Sequence, residues 1–122
     1  MKFFVPALMV TIGLEAQGIP TDLTKVISQF QMAAKANDIA QLETLLTFPL
    51  EHNWGTPIAN RAEFEQLFSK IFTKERINGL NWKKPYSLKT GWRIYSSNPN
   101  QHFALIFRET ADGYKLWGVL EH

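Results

Sequence analysis

The dipeptide Asp112-Gly113 separates two segments with strand character, residues 102–110 and 114–120. Both residue types tolerate the positive φ angles of a two-residue turn, so the pair is a strong signal for a β-hairpin. A second turn signal, Asn98-Pro99-Asn100, divides the first of these strands from another at residues 91–97. The C-terminal third of the chain therefore predicts an antiparallel sheet.

The N-terminal half has helical periodicity instead. Apolar residues recur at spacings of three and four along residues 23–34 and again along 39–46. Thr21 or Asp22 is expected to cap the first helix, and Asn37-Asp38 ends it and caps the second. These segments predict two helices joined by a tight connection.

The middle of the chain adds a strand and another helix. Residues 48–54 alternate in the strand pattern. Asn60 and Glu63 have the spacing of a capping box, and a clean apolar stripe follows over residues 64–72. Residues 73–85 are expected to form a loop or short helix packed against the domain.

These elements predict one α+β domain, with N-terminal helices packed on a bent antiparallel sheet of four to five strands, the fifth at residues 86–90. A loop at Asp112-Gly113, with a four-residue loop assumed at 98–101, assigns each side chain to a face. The core face is expected to hold seven apolar residues: Trp92, Ile94, Phe103, Leu105, Phe107, Leu116 and Leu120. The second face is rich in the Trp, Tyr and Arg that protein interfaces favour, and we expect it to mediate homodimerisation. It comprises Arg93, Tyr95, Ile106, Arg108, Trp117 and Val119.

Residues 1–18 have the pattern of a signal peptide. Lys2 precedes an uncharged apolar run at 3–14, and the small residues Ala16 and Gly18 follow. The run is shorter than the roughly 20 residues that cross a bilayer, so no stable membrane span is predicted. We expect cleavage near Ala16 or Gly18, a single domain over residues 19–122, and a periplasmic or secreted protein. A buried N-terminal helix or strand is the alternative.

Composition excludes several classes of function. The chain has no cysteine, so neither a disulfide nor a thiol nucleophile is available. The net charge is only +2 and the basic residues are dispersed, which argues against nucleic acid as a partner. The three histidines share no metal-ligand spacing, and no Gly-rich phosphate loop is present. No metal or cofactor is predicted.

The order of the elements resembles that of the nuclear transport factor 2-like superfamily, and in particular its secreted bacterial members. The resemblance rests on Phe48-Pro49-Leu50, Ile58, Asn60, Glu63-Phe64, Phe68 and Ile71-Phe72. It implies a cone-shaped, cystatin-like fold around a pocket closed by helices, often with dimerisation through the outer face of the sheet. The superfamily includes isomerases, dehydratases and non-catalytic binding domains. The Asp and Tyr pattern of its isomerases does not map onto this chain.

Two hypotheses for function follow. The first is an exported, non-enzymatic binding domain for a small apolar ligand or an envelope protein partner, one version being an immunity or inhibitor protein. The pocket is then expected to be lined by His52, Trp54, Trp82, Trp92 and Phe107. The alternative is a small isomerase, dehydratase or hydrolase that uses His52 and Glu109 as catalytic residues, if the two side chains meet in the cone.

Overall fold

The computed structural model describes residues 19–53, 55–87, 89–97 and 103–121. The predicted signal peptide and Trp54 lie outside the described residues. These described residues form four helices and four strands: α1 (Thr21–Lys35), α2 (Ile39–Thr44), β1 (Leu46–His52), α3 (Arg61–Ile71), α4 (Lys74–Asn78), β2 (Trp92–Ser96), β3 (Phe103–Thr110) and β4 (Gly113–Glu121). The predicted α+β fold class is confirmed.

Helix α1 buries the predicted apolar stripe but begins differently from expected. It starts at Thr21 directly after Pro20, and no side chain caps it. The expected cap at Thr21 or Asp22 is therefore wrong. Proline suits this position because its fixed φ favours the entry to a helix. The Thr24 hydroxyl donates back to the Pro20 carbonyl at 3.2 Å, which reinforces the first turn.

The other two predicted caps are confirmed. The Asp38 carboxylate accepts from the Gln41 amide at 3.1 Å and begins α2. The Asn60 side chain accepts from the Glu63 amide at 3.0 Å and begins α3, while the Glu63 carboxylate accepts from the Ala59 amide at 2.8 Å. Each bond satisfies a backbone donor that has no partner within its helix.

The four strands form one open sheet in the order β1-β4-β3-β2. The β2–β3 and β3–β4 pairs are antiparallel, whereas β1 runs parallel to β4. The sheet is therefore mixed, and the parallel pair arises because α3, α4 and two strands separate β1 from β4 in sequence. The fifth strand predicted at residues 86–90 is represented, among its described residues 86, 87, 89 and 90, by one isolated bridge from Tyr86 to Ile94.

The register of β2 differs from the prediction by one residue. Arg93 pairs with Phe107 and Tyr95 pairs with Leu105, and both partners belong to the core. Arg93 and Tyr95 therefore lie on the inner face, which packs against the helices, and not on the predicted interface. Trp92 lies on the outer face instead. The Ser97 amide donates to the Phe103 carbonyl, so five residues, not the assumed four, lie between these paired positions, and one residue of slip exchanges the faces.

A β-bulge at Trp117 changes the end of β4 in the same way. Phe107 pairs with Leu116, but the preceding residue Ile106 pairs with Gly118, which leaves Trp117 as an extra residue. Alternation restarts after the bulge, so Val119 is buried in the core and Leu120 lies outside it. The predicted faces of Val119 and Leu120 are thus exchanged as well. The hairpin loop is Ala111-Asp112, with Gly113 at φ 100° as the first residue of β4.

Aromatic rings fill the interior between the helices and the inner face. The Phe30 ring lies 5.7 Å from Phe107 and 5.8 Å from Phe72, both edge to face. Phe64 and Phe72 are likewise in edge contact at 5.9 Å. These rings occupy the centre of the domain. Within the described part of the chain, no helix is long and apolar enough to cross a membrane.

Candidate functional site

A cleft of about 210 Å³ lies between α1 and the edge of the sheet at β2. One wall is the side of α1, and the other is made by two aromatic side chains, Trp82 and Tyr95. The remaining lining residues are Ile19, Thr24, Ile27, Ser28 and Gln31. The cleft therefore combines an apolar surface with a few hydroxyl and amide groups on α1, the composition typical of small-molecule sites.

The segment after α4 holds Trp82 in the wall. Its indole Nε1 donates to the Ile77 carbonyl at 2.9 Å, and its ring lies 5.4 Å from Tyr95 and 6.3 Å from Phe30. Trp82 was predicted as a pocket residue from sequence, and it lines the cleft.

Tyr95 reaches the cleft from the inner face of β2. The residue is 1% exposed, and its ring packs edge to face on Phe107 at 5.7 Å. Burial raises the pKa of the Tyr95 phenol to about 12, and the nearby Arg93 guanidinium opposes that rise. At neutral pH the phenol is therefore protonated and can donate a hydrogen bond.

The predicted catalytic pair, His52 and Glu109, is not brought together. His52 is level with Val119 and Glu109 is level with Tyr114, five residues apart on the intervening strand β4. At about 3.3 Å per residue this is a separation of roughly 15 Å along the sheet. His52 is half-buried against Gly55, and Glu109 is exposed near the hairpin. No concerted proton transfer between the two side chains is available in this arrangement.

The other predicted pocket residues lie elsewhere. Phe107 is fully buried in the core, where its ring packs against that of Tyr95, and Trp92 lies on the outer face. Trp54 lies outside the described residues. The sequence missed Tyr95, because of the register of β2, and the polar side of α1. A signal for the latter was present, since Thr24, Ser28 and Gln31 recur at spacings of four and three beside the apolar stripe.

An aromatic cluster with two cations occupies the outer face. The Trp92 and Trp117 rings meet edge to face at 5.1 Å. The Arg108 guanidinium lies 5.6 Å and the Lys89 ammonium 4.9 Å from the Trp92 ring centre. Cations over indole rings at these distances are attracted by the negative ring face. Ile106, also predicted for the interface, is buried on this same face but outside the main core.

Metal binding finds no support in the part of the chain that the structure describes. No group of three His, Asp or Glu side chains there is close enough to hold a metal ion.

Sequence comparison identifies no relative, since no family model matches the chain and no curated protein matches it significantly. Solved structures with the same fold are found. A nuclear transport factor 2-like protein with a cystatin-like fold from Novosphingobium aromaticivorans is 13% identical, with a TM-score of 0.53, over 93% of this chain and 85% of that one. A nuclear transport factor 2-like protein of unknown function from Shewanella oneidensis is 14% identical, with a TM-score of 0.51, over 81% and 94%.

A ketosteroid isomerase-like protein from Erwinia carotovora is 10% identical, with a TM-score of 0.50, over 80% of this chain and 89% of that one. At these identities the similarity concerns the fold, and it confirms the resemblance inferred from sequence at that level. The chain therefore has the cystatin-like α+β fold of nuclear transport factor 2-like proteins.

Proposed function

We propose that this protein is a non-enzymatic binding domain that holds one small, largely apolar molecule in the cleft beside α1. The observation that carries the proposal is the pair of aromatic walls, Trp82 and Tyr95, facing Ile27 and the polar side chains of α1 across open space. A planar molecule between these surfaces exchanges contact with water for contact with rings, which is favourable by about 25 cal/mol per Å² of apolar area.

The volume limits the ligand. A closed cavity of roughly 150 Å³ holds one benzene molecule, and sites for drug-sized ligands exceed roughly 300 Å³. The cleft, at about 210 Å³, therefore suits a ligand of one ring or two fused rings. The hydroxyl and amide groups of Thr24, Ser28 and Gln31 are placed to orient polar atoms of such a ligand.

The lining residues favour binding over catalysis. General acid–base catalysis needs a group whose pKa lies near the working pH. Among the described residues that line the cleft, Tyr95 is the one titratable side chain, and its pKa of about 12 keeps it protonated. The separation of His52 from Glu109 removes the alternative acid–base pair.

Ligand-observed NMR with benzamide and indole tests the proposal. Ser28→Phe places a ring in the cleft, whereas Gln29→Phe adds the same ring at an exposed position that does not line it. We expect binding to the native protein and to Gln29→Phe, and its loss in Ser28→Phe. Absence of binding of both probes at millimolar concentration, or unchanged binding in Ser28→Phe, would overturn the proposal.

The outer face supports homodimerisation as a second function. Clustered Trp and Arg residues are typical of interface centres, and Trp92, Trp117 and Arg108 form such a cluster. Trp117→Arg is expected to give a monomer in analytical ultracentrifugation. Met32→Arg, at a position 69% exposed on α1, is the matched control and keeps the dimer. A dimer that persists in Trp117→Arg would contradict this assignment.

Export completes the proposed role. Its support is the sequence pattern of residues 1–18 alone. Mass spectrometry of protein recovered from the periplasm or the medium is expected to show a mature N-terminus near residue 17 or 19. An intact Met1 in cell-associated protein would contradict export.

A further inference from the structure

Arg93 is a buried cation on the inner face of β2. The residue is 9% exposed, and its Nη1 donates to the Ser87 hydroxyl at 3.2 Å and to the Trp92 carbonyl at 3.0 Å. Both bonds use the same nitrogen. The N–H groups of Nε and Nη2 point in parallel along one side of the guanidinium. Neither makes a hydrogen bond to any described residue.

No carboxylate neutralises this charge among the described residues. The ion pairs there join Arg61 to two glutamates and Arg76 to Glu121, and none includes Arg93. Glu109 is the carboxylate closest in register, but it is exposed and its Oε1 lies over Gly91 instead. Among the described residues the guanidinium therefore donates only to neutral oxygens, those of Ser87 and Trp92.

The position of Arg93 relates it to the cleft. Along β2 it is the next inward-facing residue after Tyr95, about 7 Å away at the spacing of strand residues. Its hydrogen-bond partner Ser87 lies in the same segment of the chain as Trp82. This segment runs along the edge of the sheet beside β2, with isolated bridges from Leu80 to Ser97 and from Tyr86 to Ile94. Arg93 does not itself line the cleft, but its place in the strand puts it one inward-facing position beyond the Tyr95 wall.

We propose that Arg93 binds the carboxylate of a ligand whose apolar body lies in the cleft, so that the ligand is a small aromatic or branched aliphatic carboxylic acid. This inference rests on the proposed binding function. Nε and Nη2 match the two oxygens of a carboxylate in the bidentate arrangement that makes Arg selective for this group.

The surrounding hydroxyls are consistent with an anion. Burial raises the pKa of Tyr95, and burial together with the negative charges of Glu109 and Asp22 raises the pKa of Tyr114; in both, the positive charge of Arg93 opposes the rise. The field of the guanidinium therefore reaches two protonated phenols, which are donors and not acceptors toward an anion.

Titrations with benzoate and with benzamide, monitored by calorimetry, distinguish this inference from the proposed binding function on which it rests. The two probes have the same size and ring, and only benzoate carries a charge. We expect benzoate to bind about tenfold more tightly, in line with a charge-assisted hydrogen-bond pair. Equal affinities would overturn the role of Arg93 and leave the cleft function standing, while failure of both probes would overturn both.

Variants then identify the responsible cation. Arg93→Gln is expected to lower benzoate affinity about tenfold, to that of benzamide, and to leave benzamide binding unchanged. Glu109→Gln, which removes the carboxylate closest in register, is expected to preserve or strengthen benzoate binding. A preference for benzoate that survives in Arg93→Gln would contradict the inference. If that variant does not fold, Arg93→Lys replaces it, because lysine keeps the positive charge but lacks the paired N–H donors of the guanidinium. An undiminished preference for benzoate in Arg93→Lys would also contradict the inference.

Discussion

Trp82 donates its indole N–H to the carbonyl of Ile77 at 2.9 Å, so one wall of the cleft is attached to the last turn of α4. The ring lies between Phe30 and Tyr95, at 6.3 Å and 5.4 Å from their ring centres. This attachment makes the cleft wall part of the folded core, and a ligand would meet a preformed surface.

Trp82→Phe should keep an aromatic wall but lose the hydrogen bond. We expect the free energy of unfolding to fall by about 1 kcal/mol for the bond, with a further loss for the smaller ring, measured by urea denaturation. Benzamide affinity should fall as well. Trp92→Phe, on the outer face, should leave benzamide affinity unchanged, and a loss there would mean that the probe binds outside the cleft.

Asn53 extends the sheet through its side chain. Its amide donates to the Glu121 carbonyl at 2.7 Å and accepts from the Glu121 amide at 2.9 Å, as a strand residue would. Asn53→Ala removes both bonds, and we expect a loss of about 1 kcal/mol and faster amide exchange at Glu121. The exposed Asn78→Ala is the control. Unchanged exchange at Glu121 would show that the side chain does not hold the end of β4.

The contribution of the Asn60 cap to stability should be separable from the effect of helix propensity in α3. Asn60→Ala removes the bond to the Glu63 amide and is expected to cost about 1 kcal/mol in thermal or denaturant unfolding. Ser69→Ala, at an exposed position within the helix, exchanges the same kind of small polar side chain and should be neutral or slightly stabilising. Equal effects of the two changes would contradict a specific capping role.

Alkaline pH should weaken the fold through Tyr95. Its pKa is raised from 10.0 to about 12 in the folded protein, so the folded state retains a proton that the unfolded chain loses. Stability is therefore intact below pH 10 and falls between pH 10 and about 12, at up to about 1.4 kcal/mol per pH unit. Denaturant titrations across this range should show a shallower decline in Tyr95→Phe. An identical decline would assign the effect to other groups, such as the lysines.

The predictable parts of this fold were those fixed by local chemistry. Asn60 and Asp38 mark helix starts because a side-chain oxygen satisfies an adjacent backbone donor, and this requires no knowledge of the rest of the chain. The stripe that buries Phe64 and Phe68 follows from the helical period in the same way.

The faces of the sheet were not predictable to the same degree. One residue in the β2–β3 connection decides whether Arg93 and Tyr95 point inward, and the bulge at Trp117 decides the same for Val119. Neither feature has a strong local signature, since both depend on how neighbouring strands align. For this reason only Trp82 of the cleft was predicted: Tyr95 was assigned to the outside, and the apolar Trp92 was assigned to the pocket in its place.

The bulge at Trp117 also has a consequence for evolutionary change in β4. Val119 and Leu120 are adjacent, one buried in the core and the other outside it. Removal of Trp117 would make the ladder regular, with Gly118 still opposite Ile106 and Val119 still opposite Leu105, so Val119 would stay in the core. The end of this strand is thus buffered against a single-residue deletion at the bulge, and sequence divergence there can proceed without loss of the hydrophobic interior.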